Sequence, residues 1–104
     1  MIRLDGGLFF ATSEALEKRI RDLLDGDSAT RAIVLDLEGV NFVDSQGSAK
    51  LTELHELAES YGIPLHLARL KASVRRVLEA DGVIETYGPD RIHGAVTEAV
   101  EAAV

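Results

Sequence analysis

The stretch from residue 32 to residue 61 limits what this chain can fold into more than any other. Its start, Ala32-Ile33-Val34-Leu35, is a continuous apolar run rich in β-branched residues, the pattern of a strand buried on both faces. Further on, Leu51, Leu54, Leu57, Ala58 and Tyr61 recur at the spacing of one helix face. Between them lies Asp44-Ser45-Gln46-Gly47. Asp44 or Ser45 falls where a helix N-cap belongs, because either side-chain oxygen can accept from the unpaired N–H groups of a first turn. Gly47 would then sit inside that turn, where a poor helix former implies close approach by a backbone or a ligand. Strand, short loop and capped helix form the connection at which open α/β sheets place their binding sites.

The flanking segments extend this pattern. Ile2-Arg3-Leu4 and Leu8-Phe9-Phe10-Ala11 bracket Asp5-Gly6-Gly7, a turn signal that predicts an N-terminal hairpin. Thr12 or Ser13 is placed to cap a first helix with Leu16, Ile20, Leu23 and Leu24 inward and Lys18, Arg21 and Asp22 in water. Gly62 suits the end of the central helix and Pro64 cannot continue it. Leu65-His66-Leu67-Ala68 reads as a strand parallel to the first buried one, since a helix connects the two. Val74, Val77 and Leu78 mark a short helix closed by Asp81-Gly82, residues 83–87 a last strand, and Gly88-Pro89-Asp90 the start of a C-terminal helix with Ile92, Ala95, Val96, Ala99 and Val100 inward. The expected order is ββαβαβαβα, a mixed four- or five-stranded sheet with about four helices largely on one face.

Composition excludes several function classes. At 104 residues the chain is one domain large enough for its own core. It has no cysteine, so disulfides and thiolate-held metals are ruled out. A net charge of −7 is the wrong sign for a nucleic-acid partner. No apolar run reaches a membrane span and no secretory leader is visible, so the chain as given reads as soluble. His55, His66 and His93 are scattered without metal-ligand spacing. No Gly-x-x-x-x-Gly-Lys-Ser/Thr loop occurs and no triad is legible, so the expectation is a non-enzyme. Arg69, Lys71, Arg75 and Arg76 form one basic cluster in an acidic chain, suited to an anionic headgroup, a phosphate or an acidic loop, or simply a solvated face.

Val40-Asn41-Phe42-Val43-Asp44-Ser45-Gln46-Gly47, after a strand that ends in Asp36-Leu37, resembles the signature of STAS domains, in which an Asp-Ser-Ser/Thr-Gly turn opens the second helix. That family includes anti-sigma-factor antagonists and the cytoplasmic C-terminal domains of SulP-type sulfate and anion transporters. Residues Arg3-Leu4-Asp5-Gly6-Gly7-Leu8-Phe9-Phe10-Ala11 are similar to the transporter branch, as are Ser73-Val74-Arg75-Arg76-Val77-Leu78 and the later Gly82. The resemblance covers nearly the whole chain and implies one STAS domain, residues 1–104, excised from a longer membrane transporter. Two positions depart from the pattern. Gln46 stands where antagonists carry the hydroxyl that is phosphorylated, and Ser48 replaces the usual aliphatic residue after the glycine.

From this resemblance follow the remaining expectations. The domain would sit at the cytoplasmic face of the membrane, with the transmembrane domain of its parent transporter as partner, and a regulatory protein as a further one. It would bind GTP or ATP, with Mg²⁺ bridging, at Asp44, Ser45, Gln46 and Gly47, flanked by Phe10, Thr12 and Arg69 from neighbouring strand ends. Ser45 is the turn's candidate for phosphorylation, favourably placed at a helix N-terminus. The alternative is a stand-alone antagonist that binds an anti-sigma kinase.

Overall fold

The computed structural model describes residues 2–8, 10–26 and 32–95. Among them the order is β1 (Ile2–Leu8), α1 (Phe10–Gly26), β2 (Ile33–Val43), α2 (Ser45–Ser60), β3 (Leu65–Ala68), α3 (Ala72–Ala80), α4 (Val83–Tyr87), a 3₁₀ turn (Pro89–Arg91) and β4 (Ile92–His93). The four described strands form one sheet in the order β1-β2-β3-β4, and every pairing is parallel. The expected pairing of the two buried strands holds, with Ile33 beside Leu65 and Asp36 beside Ala68.

Strand alternation divides the sheet into two faces. Ile33, Leu35 and Leu37 of β2 and Leu65 and Leu67 of β3 join Leu16, Ile20 and Leu24 of α1, Leu51, Leu54 and Ala58 of α2, and Val74 and Leu78 of α3 in one core. The described helices therefore cover one face. Val34 and Ala68 form a separate small cluster, on the alternate positions. Asp36 and His66 share those alternate positions and are also buried.

Three segments differ from the expected elements, and two side chains from their expected faces. The N-terminal hairpin is absent: β1 runs straight through Asp5-Gly6-Gly7 as a single strand beside β2. Its register slips twice, between Arg3 and Asp5 and between Gly6 and Gly7, so β2 carries the extra residues as bulges. Glycines that would suit a turn here accommodate an irregular ladder. The sheet is accordingly parallel rather than mixed among the described residues, and α1 begins at Phe10, ahead of Thr12 and Ser13, which are not its caps. Leu23, expected in the buried stripe of α1, is 37% exposed, and Tyr61, expected on the inner face of α2, is 46% exposed and donates to Asp25.

The second change is at residues 83–87, which form a helix rather than a strand. Gly82 enters the left-handed region at φ 79°, and the N–H of Thr86 reaches back to its carbonyl. The turn that results puts Val83 and Tyr87, four apart, on one buried face. Packing outweighs the β propensity of Val83 and Ile84. Third, Gly88-Pro89-Asp90 leads into a 3₁₀ turn and then β4, so Ile92 and His93 are strand residues. The other positions expected on the C-terminal helix lie outside the described residues, except Ala95, which is in no helix.

Helix α2 ends as its sequence requires. Gly62 takes φ 72°, the N–H of Ile63 donates to Ala58 O and that of Gly62 to Glu59 O, the paired bonds of a Schellman close.

The capped turn at the carboxyl edge of the sheet

Parallel strands bring their carboxyl ends to one edge. Leu8 of β1 is beside Val43 of β2, and β3 ends at Ala68. Helices α1, α2 and α3 all start from this edge, so three helix N-termini gather there. Each carries unpaired N–H groups and the positive end of a helix dipole.

At the start of α2, Asp44 is extended, at φ −93° and ψ 177°, and its side chain accepts from the N–H of Gly47 at 2.7 Å. Asp44 is thus the cap, and Ser45 is the first helical residue. Ser45 and Gln46 are exposed, whereas Gly47 and Ser48 are buried. The turn is open to a partner through its first two residues and anchored through the next two. Phe42, two residues before the cap, is 54% exposed. This edge therefore offers an aromatic ring, a hydroxyl, an amide and backbone N–H groups.

The other expected site residues are placed differently. Phe10 and Thr12 lie in the first turn of α1, at the same edge. Arg69 follows β3, but its guanidinium reaches the opposite face. Its Nε donates to Asp36 Oδ1 at 3.0 Å, and its terminal nitrogens reach Asp36 Oδ2 and Glu38. These bonds, that to Asp36 foremost, raise the arginine's pKa and keep it charged. Its charge is answered before any phosphate arrives.

The rest of the basic cluster is engaged in part. Lys71 donates to Asn41 Oδ1, and Arg75 pairs with Glu79 at 2.9 Å. Arg76 is exposed. Two of the four charges, Arg69 and Arg75, are thus met by carboxylates, which sequence spacing alone does not reveal.

Two histidines the sequence leaves apart are joined: His66 Nδ1 lies 2.9 Å from His93 Nε2. The signal that would find them is the β3–β4 pairing, and reading residues 92–93 as helix hid it. Among the described residues, no group of three or more His, Asp or Glu side chains is placed to hold a metal ion. Nor is any described helix long and apolar enough to cross a membrane.

A parallel sheet with its described helices on one face, and a capped, serine-bearing turn at its carboxyl edge, defines a small α/β domain with an open strand-to-helix turn. The chain belongs to the STAS domain family, which matches residues 1–99. Sulfate transporter 3.2 of Arabidopsis thaliana is 32% identical over 111 residues, covering 98% of this chain and 17% of the plant protein. Solute carrier family 26 member 10 of Mus musculus is 28% identical over 79 residues, 76% of this chain and 12% of that protein. Among solved structures, a sulfate transporter family protein from Wolinella succinogenes matches with TM-score 0.82 and 25% identity, over 97% of this chain and 80% of that one. The murine Slc26a9 anion transporter in the inward-facing state matches with TM-score 0.81 and 28% identity, over 97% of this chain and 17% of that one. This chain thus spans under a fifth of the length of the curated transporters it resembles.

Proposed function

We propose that this chain is the regulatory STAS domain of a SulP-type sulfate or anion transporter, positioned at the cytoplasmic face of the membrane. In this reading it modulates transport by contact with the parent's transmembrane domain, and with a regulatory protein, rather than by catalysis. The observation that carries the reading is the pattern of coverage. Nearly all of this chain aligns with less than a fifth of the Arabidopsis transporter and of the murine transporter structure, so it corresponds to one part of such a protein. The turn at Ser45 and Gln46, with Phe42 beside it, is the contact surface of this proposal.

The same turn is where GTP or ATP would bind. Free N–H groups and the dipole of α2 favour a phosphate, while the Asp44 carboxylate disfavours a bare one, so Mg²⁺ is the natural bridge. Asp44, Ser45, Gln46 and Gly47 would hold the phosphates, with Phe10 and Thr12 from the neighbouring helix start. Arg69 would join them only by giving up both Asp36 and Glu38. Ser45, exposed in the first turn, is also the hydroxyl there that a kinase could reach. The free-standing antagonist reading is disfavoured by Gln46, which has no hydroxyl at the switch position.

Two measurements test this. In a transporter carrying this domain, Gln46→Lys should lower anion uptake while the isolated chain keeps its unfolding midpoint; undiminished uptake would remove the turn as a contact surface. Titration of GTP and ATP into the labelled chain, with and without Mg²⁺, should move backbone amides of residues 42–48. No saturable shift at millimolar ligand would remove the nucleotide from the proposal and leave the contact role standing.

A further inference from the structure

The sheet face opposite the described helices holds a polar group that the transporter reading does not use. His66 stands on β3, and His93 on β4 is the register partner of Ala68, so both side chains share that face. Their ring centroids are 5.1 Å apart at 27°, with His66 Nδ1 and His93 Nε2 in hydrogen-bond contact. His66 is only 4% exposed, on an interior strand beside Val34. Strand β4, by contrast, is two residues long and is the last strand of the described sheet. Besides the histidine pair it is held by its short ladder to Leu67 and Ala68, by the N–H of Arg69 donating to His93 O at 2.9 Å, by Ile92 packed against the core, and by the Arg91–Glu59 pair just before it.

We infer that the His66–His93 pair is an acid-sensitive latch, holding β4 against β3 at neutral pH and releasing it in weak acid. The geometry supplies the reason. A hydrogen bond between two imidazoles needs one ring nitrogen without a proton. A neutral pair meets this condition, and so does a pair carrying a single extra proton. A doubly protonated pair presents one N–H to another at 2.9 Å, with like charges adjoining. His66 cannot turn away because it is buried on an interior strand, so the short edge strand gives way. No third donor among the described His, Asp and Glu side chains completes a metal site with the pair.

The surrounding charges set the direction. Arg91, just before β4, disfavours an imidazolium and is itself paired with Glu59 of α2. Asp36 and Glu38 of β2 are both engaged by Arg69, just after β3. Burial, then His93 and then Arg91, hold His66 below the ordinary imidazole value of 6.5. A base with a depressed folded-state pKa stabilises the fold fully above its unfolded value. That contribution is lost as pH falls from about 6.5 through the lowered value.

The reporter is the Arg69 amide, whose acceptor is His93 O. Hydrogen exchange of the labelled chain, corrected for intrinsic rates, is measured at about pH 7.5 and about pH 5.5. Arg69 protection should fall, while the Ile63 amide, bonded to Ala58 O at the end of α2, keeps its protection. His93→Gln, which offers an amide in place of the ring, should weaken the pH dependence at Arg69, leaving only the part that burial of His66 supplies. In that variant the His66 ring should also titrate at a higher pH than in the parent chain. Constant Arg69 protection in the parent chain would overturn the latch. So would equal loss in His93→Gln, or a His66 titration that the variant leaves in place. None of these readouts involves the Ser45–Gln46 turn.

Discussion

Arg69 Nε lies 3.0 Å from Asp36 Oδ1 across the β2–β3 pair, and Arg69 makes this contact from a left-handed backbone at φ 59°. Among the described non-glycine residues it is the one with positive φ. A side chain with a Cβ is strained there, and the strain persists only where surrounding contacts fix it. Here these contacts are the fork onto a wholly buried carboxylate, the reach to Glu38, and the backbone bond to His93 O. Arg69→Ala keeps the strained backbone and discards the fork, whereas Arg69→Gly discards both. The glycine variant should therefore unfold at a higher denaturant midpoint than the alanine variant, with both below the parent chain. Reversal of the two variants in a urea titration would show that the backbone at residue 69 carries no strain.

Asp44 makes a simpler contribution. Its carboxylate satisfies the N–H of Gly47 at 2.7 Å, one of the donors that α2 cannot pair internally. Asp44→Ala should cost about 1 kcal/mol, and Asp44→Asn, which keeps an acceptor, only a fraction of it. The check is the urea midpoint at unchanged slope; an alanine variant as stable as the parent would contradict the cap. Because capping and ligand contact share this residue, the uptake test above uses Gln46 instead.

Ser48 departs from the family's aliphatic habit and is 2% exposed, and its hydroxyl finds no hydrogen-bond partner among the described residues. A buried hydroxyl without a partner loses its hydration with no return. Ser48→Ala removes that cost and improves helix propensity. The variant should be more stable by about 1 kcal/mol, read as a raised melting temperature. A loss of stability would mean that the hydroxyl is bonded after all, and would make Ser48 part of the turn's working surface.

What the sequence revealed follows from how local each signal is. The buried strands, the cap at Asp44, the close at Gly62 and the α3 stripe of Val74 and Leu78 all rest on spacings within one element, and all are present. The failures are elements whose identity is decided by a neighbour. Asp5-Gly6-Gly7 is a turn by composition and a bulged strand because β2 lies alongside it. Residues 83–87 are strand-like by composition and helical because Val83 and Tyr87 must both enter the core. The same holds at the site: Ser45 and Gln46 could be placed from the cap alone. The engagement of Arg69 by Asp36 and Glu38, and the meeting of His66 with His93, need the strand order.

Tyr87 is one of these neighbour-determined residues, and its titration gives the clearest pH signature. Its ring packs 4.8 Å from that of His55, and its hydroxyl donates to Leu51 O at 2.7 Å from a site 4% exposed. Burial pushes the phenol well above its ordinary value of 10.0, so it remains a donor in the fold where an unfolded chain would ionise. A folded-state pKa that is raised gives stability fully present below about pH 10 and lost as pH rises beyond it. Tyr61, raised by its bond to Asp25, acts in the same sense at the surface. Tyr87→Phe should cost about 1 kcal/mol at neutral pH through the lost bond to Leu51. It should also flatten, without abolishing, the fall in stability between about pH 9.5 and about pH 11. Urea titrations of both proteins across that range measure the slope, and identical slopes would mean that the phenol does not stay protonated in the core.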